Sequence, residues 1–151
     1  MQSVEPLTWS KRNVPLSERF NDIYFSNSGG VEEVKYVFLK GNGLPECWLD
    51  KKGQFLIGET GFGTGLNFFV TWKLWRENSL PGCDLVYHSV ERYPLTIEQI
   101  ARSISQWPEL NPFLEQFKDQ YISLGDTSKF ISLDDGNVSL KILIGDATNM
   151  L

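Results

Sequence analysis

The sequence predicts an α/β fold of the nucleotide-binding type, and the stretch at residues 55–69, FLIGETGFGTGLNFF, is the main reason. Its apolar start at residues 55–57 predicts a short buried strand, and a helical pattern runs from Gly65 to about residue 78. A strand, a glycine turn and a helix in this order open a nucleotide-binding unit, because glycine lets the backbone approach a ligand and the helix offers unpaired N–H groups. A second strand is predicted at residues 85–90, and a third at residues 137–144.

The glycine turn favours a cationic adenosyl ligand over a phosphate. No GxxxxGK[ST] string occurs in the chain, and Leu66 stands where a dinucleotide fingerprint needs its third glycine after Gly61 and Gly63. Glu59, at the end of the predicted strand, would repel a pyrophosphate. It suits S-adenosylmethionine, which carries a sulfonium, an α-amino group and a ribose diol. A tight structural turn that binds nothing remains the alternative.

Two more acidic residues follow predicted core strands. Glu91 ends the second strand, where doubly wound folds place an acid against the ligand's ribose. The alternative is a surface glutamate before a helix that has Pro94 in its first turn. Asp146 follows the third strand and could accept a hydrogen bond from an adenine amino group. With Glu59, these acids are predicted to line one crevice at the carboxyl edge of the sheet.

The remaining elements follow from periodicity and turn residues. Residues 1–20 are predicted to be irregular or an edge segment, and a helix is predicted at about residues 31–38, with Val37 on its buried face and Gly41 as its end. The other predicted elements are a helix at 94–106, a short helix at 108–116, and a hairpin of 129–133 and 137–144 joined by a turn at 134–136.

Composition narrows the functional classes. A chain of 151 residues can bury one core, and its net charge of -5 argues against strong nucleic-acid binding by this chain alone. No long apolar span or signal region is present, and Cys47 and Cys83 are predicted to be buried thiols in a reducing compartment, the cytoplasm. The single histidine, His88, lies mid-strand and is predicted to be structural, so a metal site is not expected.

Several segments together resemble a known family. FNDIYFSNSGGVEEVKYVFLKGNGLPECW, GETGFGTGLNFF, SVERYPLT, WPEL and LIGDATNML occur in the order in which the methyltransferase domain of the bifunctional tRNA-modifying MnmC proteins has them. The resemblance implies a class I, Rossmann-like, S-adenosylmethionine-dependent methyltransferase. The implied reaction methylates the aminomethyl nitrogen of a wobble uridine in tRNA, giving 5-methylaminomethyl-2-thiouridine. Full-length members usually carry an FAD-dependent oxidase domain, which this chain lacks.

The resemblance also implies an incomplete methyltransferase domain. Residues 1–54 are interpreted as a segment preceding the core, and residues 55–151 as the first part of the cofactor-binding domain. The family's later strand ending Asp-Gly-Phe-Ala-Pro, with an acid near the methyl-transfer centre, has no match up to Leu151. The catalytic residue therefore stays unassigned, and the chain is expected to be inactive alone. An NAD-dependent oxidoreductase fragment and a non-catalytic adenosyl-binding module remain the alternatives.

The predicted cofactor contacts fall into three groups. Residues at the turn would take the methionine end, residues after the second and third strands would take the ribose and adenine, and residues of the N-terminal segment would close over the cofactor. They are Glu59, Thr60, Gly61, Phe62, Gly63, Gly65 and Asn67; Glu91, Arg92 and Asp146; and Tyr24 and Ser26.

Overall fold

The N-terminal segment forms a small antiparallel sheet of its own. The computed structural model describes residues 4–25, 29–49, 52–123 and 128–150. Strands β1 (Leu7–Trp9), β2 (Pro15–Ser17) and β3 (Asp22–Ile23) pair in that order. The prediction of an irregular or edge segment at residues 1–20 therefore missed a sheet. Strands of two or three residues are too short to show the alternation that predicts a strand.

The predicted helix at residues 31–38 is a composite of three helical types. Helix α1 (Gly30–Glu33) continues as a π-helical turn at Val34–Leu39 and a 3-10 turn at Lys40–Asn42. The wider π turn rotates later side chains away from the regular helical face. As a result Leu39 is buried, whereas Val37, predicted to be buried, is 64% exposed. The segment ends at Gly43, which is left-handed with φ 69°, and not at Gly41.

A short helix leads into the main sheet. Helix α2 (Glu46–Leu49) buries Trp48 against the ring of Trp75, with 5.1 Å between the ring centroids. Its neighbour Cys47 is exposed, so the prediction that both cysteines are buried is wrong for Cys47 and right for Cys83. Adjacent side chains of a helix point about 100° apart, so Cys47 faces solvent while Trp48 faces the core.

The main sheet has four strands in the order β4-β5-β7-β6. Its strands are β4 (Gln54–Thr60), β5 (Asp84–Glu91), β6 (Lys129–Leu133) and β7 (Val138–Ile144). Strands β4, β5 and β7 run parallel, and β6 pairs antiparallel with β7, which confirms the predicted hairpin. The α/β fold class is therefore confirmed, with a small mixed sheet. The proposed division of the chain between residues 54 and 55 stays a prediction.

One face of this sheet is covered by helices and the other is open. The covered face carries a buried row across all four strands, formed by Ile57, Tyr87, Leu140 and Ile131. Helix α3 (Leu66–Asn78) packs on it through Phe68, whose ring centroid lies 5.0 Å from that of Tyr87. The open face carries Leu56, His88 and Phe130, all exposed.

Helices α4 (Ile97–Ile104) and α5 (Asn111–Ser123) lie on the same side as α3, since the rings of Phe69 and Phe117 are 5.1 Å apart and α4 and α5 pack on each other. Helix α4 begins later than predicted, because Thr96 caps it in a reciprocal capping box with Gln99. Pro94 therefore precedes the helix. Helix α5, which follows a 3-10 turn at Pro108–Leu110, is longer than the short helix predicted there, and α6 (Ala147–Met150) follows β7.

Candidate functional site

The glycine turn between β4 and α3 has a backbone that other residues rarely adopt. Gly61, Gly63 and Gly65 have φ values of 84°, 56° and 79°, all in the left-handed region. Gly65 is also the N-cap of α3, and a Cβ atom there would lie 2.9 Å from the ring of Phe62. The sequence Gly-x-Gly-x-Gly is thus required by backbone conformation and, at Gly65, also by packing.

The amide groups of the three glycines are bound within the protein. Gly61 donates to the Val90 carbonyl at 2.7 Å, and Gly65 donates to the Phe62 carbonyl at 2.9 Å. Gly63 donates to a carboxylate oxygen of Glu91 at 2.8 Å. These bonds fasten the turn to the end of β5. They also mean that these three amides are not offered to a phosphate, in agreement with the absence of a phosphate-binding motif.

Glu91 organises the turn from the neighbouring strand. Its second carboxylate oxygen accepts a hydrogen bond from the Tyr93 amide at 2.9 Å, and the side chain is half-buried. Each carboxylate oxygen has a second lone pair, so Glu91 can hold the turn and still accept hydrogen bonds from a ligand. The alternative that Glu91 is merely a surface glutamate does not fit its place in the cavity wall described below.

Glu59 is the second-last residue of β4, since the strand continues to Thr60. The Ser89 hydroxyl donates to one of its carboxylate oxygens at 2.9 Å, and the Asn67 amide lies 3.4 Å from the other. Burial raises the pKa of Glu59 to about 7, and the nearby Glu91 carboxylate adds to the rise. The Tyr87 hydroxyl is close by, but no partner among the described residues forms a normal hydrogen bond with it.

A cavity of about 580 Å³ opens beside the glycine turn. One part of the lining is the turn with Glu91, and another comes from residues within 23–25 and 30–42 of the N-terminal segment. Its lining is made of glycine, apolar, aromatic, hydroxyl, amide and acidic residues. The lining residues in the described part of the chain include no lysine, arginine or histidine. They include Tyr24, Phe25, Phe38, Phe62, Glu33 and Glu91.

Tyr24 brings the N-terminal segment onto the turn. A Cβ atom built on Gly63 would lie 3.2 Å from the Tyr24 ring, so glycine is what allows this approach. Burial raises the pKa of Tyr24 to about 12, and the carboxylates of Glu91 and Glu5 act in the same direction. The hydroxyl therefore stays protonated at neutral pH and can donate a hydrogen bond.

A second cavity adjoins the first and contains Glu59. The two share Phe38 and Asn67 in their linings, and the second continues along the open face past Thr60 and His88. Asn67 connects the cavity of Glu91 with that of Glu59, because it lines both cavities and approaches the Glu59 carboxylate.

Asp146 does not line either of these cavities. It follows β7, forms an ion pair with Arg92 at 3.1 Å, and accepts hydrogen bonds from the amide and hydroxyl of Thr148 at 2.9 and 2.7 Å. Those bonds lower the pKa of Asp146. The three predicted acids therefore share the carboxyl edge of the sheet, but only Glu59 and Glu91 adjoin the cavities. Arg92 and Asp146 together form a separate charged pair at the same edge.

The predicted contact residues are distributed as follows. Ser26 lies outside the described residues. Gly65 is buried behind the turn. The main cavity is lined by Tyr24, Gly61, Phe62, Gly63, Asn67 and Glu91, and the adjoining one by Glu59, Thr60 and Asn67.

Several residues of the site were missed from the sequence. Ser89 binds Glu59 and lies two positions before Glu91 on β5, so strand alternation together with a parallel register would have found it. Glu33, Phe38 and Asn42 line the cavity from the N-terminal segment. No local signal marks them, because their position depends on the π-helical turn and on how the segment packs against α3.

Two further properties concern metals and membranes. Within residues 4–25, 29–49, 52–123 and 128–150, no three histidine, cysteine, aspartate or glutamate residues are grouped so that they could hold a metal ion. No helix in these ranges has the length and apolar character needed to cross a bilayer.

Comparison with known proteins connects the site to a family. A protein named tRNA 5-methylaminomethyl-2-thiouridine biosynthesis bifunctional protein MnmC from Pseudomonas savastanoi is 42% identical over 147 residues, which are 96% of this chain. The protein of the same name from Vibrio campbellii is 40% identical over 146 residues. This chain is a relative of the MnmC proteins. It spans 22% of the length of each of these two relatives. No family model matches the chain.

A solved structure supports the fold. The crystal structure of MNMC2 from Aquifex aeolicus superimposes with a TM-score of 0.64, covering 99% of this chain and 45% of that one. At 22% identity this likeness concerns the fold alone. It agrees with the partial Rossmann-like architecture expected from the MnmC resemblance.

Proposed function

We propose that this chain provides the S-adenosylmethionine-binding part of a tRNA methyltransferase of the MnmC kind. The relatives' name describes a bifunctional protein of tRNA 5-methylaminomethyl-2-thiouridine biosynthesis. The reaction we propose is methylation of the aminomethyl nitrogen of a wobble uridine, which yields the 5-methylaminomethyl group. The observation that carries the proposal is the cavity beside the glycine turn, with Glu91 in its wall and no basic residue in its described lining.

The donor groups of this cavity fit S-adenosylmethionine chemically. A carboxylate that accepts hydrogen bonds suits a ribose diol, and aromatic rings suit both an adenine ring and a positive charge. The turn's glycine amides are engaged, which disfavours the pyrophosphate of a dinucleotide. Glu59, held between Ser89 and Asn67, is placed to accept hydrogen bonds from an ammonium group.

Each residue then has a defined task. Glu91 binds the ribose while holding Gly63, and Glu59 orients the methionine end directly or through Asn67. Tyr24 covers the turn and keeps water from one side of the cavity. When bound, S-adenosylmethionine supplies a methyl group on a good leaving group, so the protein's main contribution is to position the donor and the acceptor amine. Arg92 and Asp146 hold the rim where the adenine would lie.

Calorimetric titration with S-adenosylmethionine tests this proposal. We expect binding by the protein and a loss of about tenfold or more in affinity for Glu91→Gln, since hydrogen bonds to a charged acceptor contribute about 1.5–3 kcal/mol each. Glutamine keeps one oxygen for the Gly63 amide, but its NH2 group replaces the oxygen that accepts from the Tyr93 amide. A melting temperature close to the wild type is therefore required to show that the turn is preserved in Glu91→Gln. Glu98→Gln, at an exposed position in α4, is the matched control and should bind normally. Binding of NAD⁺ in place of S-adenosylmethionine would instead support the oxidoreductase alternative.

The wider activity is part of the same proposal. We expect the chain by itself not to methylate tRNA, because it spans 22% of its relatives' length and no acid is assigned to the methyl-transfer centre. Its net charge of -5 means that the basic surface for tRNA comes from elsewhere in the protein. An FAD-dependent oxidase domain as partner, and the cytoplasm as location, follow from the MnmC resemblance. Robust methylation of tRNA by residues 1–151 would contradict the expectation of inactivity.

A further inference from the structure

The lining of the main cavity contains a second acidic residue, Glu33. It is the last residue of α1 and is exposed, whereas Glu91 in the same lining is half-buried. Within the described residues, the Glu33 side chain forms no hydrogen bond or ion pair. Its neighbour Glu32 is different: it does not line the cavity and pairs with Lys35 at 3.4 Å.

The surroundings of Glu33 favour a positive charge in the ligand. Two acidic residues, Glu33 and Glu91, line the cavity, and no lysine, arginine or histidine appears among its described lining residues. The rings of Tyr24, Phe25 and Phe38 are in the same lining, and aromatic faces attract cations. The potential inside such a cavity is negative, and low-dielectric walls strengthen it.

We propose that Glu33 makes the cavity prefer S-adenosylmethionine over S-adenosylhomocysteine by recognising the positive charge of the sulfonium. This inference rests on the proposed function. The two compounds share the adenosine, the amino group and the carboxylate, and they differ in one methyl group and one positive charge. Methyl transfer turns the sulfonium into a neutral thioether, so the attraction is lost with the reaction. Glu33 thereby favours entry of the donor and exit of the product.

The test compares calorimetric affinities for the two compounds in the wild-type protein, Glu33→Gln, Glu33→Asp and Glu32→Gln. We expect the wild type to prefer S-adenosylmethionine by about fivefold, as a partly screened charge pair predicts. Glu33→Gln should lower this ratio by about twofold or more by weakening S-adenosylmethionine alone, and any preference that remains comes from Glu91. Glu33→Asp should retain most of the preference, and Glu32→Gln should match the wild type. Raising the salt concentration should lower the ratio more in the wild type than in Glu33→Gln.

Each outcome separates this inference from the proposed function. If neither compound binds the wild type, the proposed function fails. If both bind and Glu33→Gln leaves their ratio unchanged, the proposed function stands and the role of Glu33 is refuted. Equal weakening of both compounds in Glu33→Gln also refutes it, since Glu33 would then contact a part that the two compounds share. A melting temperature of Glu33→Gln close to the wild type confirms that the variant is folded, as expected for an exposed residue.

Discussion

The two faces of the main sheet contrast sharply. On the covered face, Ile57 and Tyr87 are buried beneath α3, whereas on the open face Leu56 and Phe130 are 63% and 65% exposed. Both faces carry apolar residues, as strands of a parallel sheet generally do, because such sheets are usually buried on both sides. The open face is also the more polar, since His88, Ser139 and Lys141 lie on it. The strand sequences therefore encode part of the difference, and the side that the helices occupy decides the exposure of Leu56 and Phe130.

The hydrogen-bonded group around Glu59 in the candidate site belongs to the covered side. Glu59 and Ser89 are register partners on adjacent strands, and α3 brings Asn67 onto them. His88, one residue from Ser89, points to the open face and is exposed. Adjacent residues of β5 therefore differ in environment: the Ser89 hydroxyl is bound in a buried network, whereas the His88 imidazole is in solvent. The covered face gives a side chain a fixed position and an altered pKa, which are the properties that a binding site needs.

The largest expected difference between the faces is in packing. Phe68 is fully buried against Tyr87, so Phe68→Ala should lower the free energy of unfolding by about 3–5 kcal/mol. Leu56→Ala on the open face should lower it by roughly 0.5 kcal/mol or less. Urea denaturation followed by tryptophan fluorescence measures both. Comparable losses for the two variants would mean that the open face is packed in solution.

The next effect is the pH dependence caused by Glu59. Its pKa is raised to about 7 in the folded protein, so folding favours the protonated form. Below the pKa of the unfolded state, Glu59 is protonated in both states and does not make the free energy of unfolding depend on pH. As the pH rises from there towards 7, ionisation of Glu59 lowers the free energy of unfolding, and above the folded pKa this loss is constant. The total is on the order of 3 kcal/mol. Glu59→Gln removes this dependence.

Denaturation at several pH values checks the Glu59 prediction. The stability of Glu59→Gln relative to the wild type should increase between pH 4.5 and 7.5, while Glu98→Gln, at an exposed position, should show no such trend. A constant difference between Glu59→Gln and wild type over this range would show that the folded protein does not raise the pKa of Glu59.

The glycine turn gives a smaller contrast between inward-facing and outward-facing positions. A Cβ atom at Gly65 would meet the rings of Phe62 and Phe69 at 2.9–3.0 Å, whereas one at Gly61 would meet nothing within 4 Å. Both positions have positive φ, which costs about 1–2 kcal/mol for alanine. Gly65→Ala adds crowding of about 1 kcal/mol or more, so it should be the more destabilising of the two in thermal melts. Equal effects would indicate that backbone strain alone is involved.

The sequence predicted the parts of the fold that depend on local pattern. The strand before the glycine turn, helix α3 and the hairpin of β6 and β7 were all found from periodicity and turn residues. Strand β4 is longer than predicted, because pairing with β5 keeps Gly58 and Glu59 in the strand despite their low strand propensity. The π-helical turn at Val34–Leu39 and the exposure of Leu56 depend on tertiary packing, which periodicity does not report.

The candidate site, like the fold, was predicted only in part from the sequence. The positions of Glu59 and Glu91 at adjacent strand ends follow from the strand–turn–helix pattern, and both adjoin the cavities. Asp146 was expected in the same crevice, but it is bound to Arg92 and Thr148 and lines neither cavity. Sequence order places an acid at a strand end, but the partner that its side chain finds there depends on neighbours from distant segments.

The smallest expected change in stability is that of Phe130→Ser in β6, compared with the same substitution at its buried neighbour Ile131. Phe130 is exposed on the open face, where the Lys141 ammonium lies 4.8 Å from its ring centroid, and Ile131 is 2% exposed on the covered face. Phe130→Ser should change the free energy of unfolding by about 0.5 kcal/mol or less, because little apolar area leaves a buried environment. Ile131→Ser should cost several-fold more in the same urea titration, since it places a hydroxyl in the core. If Phe130→Ser were the more damaging change, β6 would be paired in solution with its faces reversed, because a shift of one residue in register exchanges the two sides of a strand.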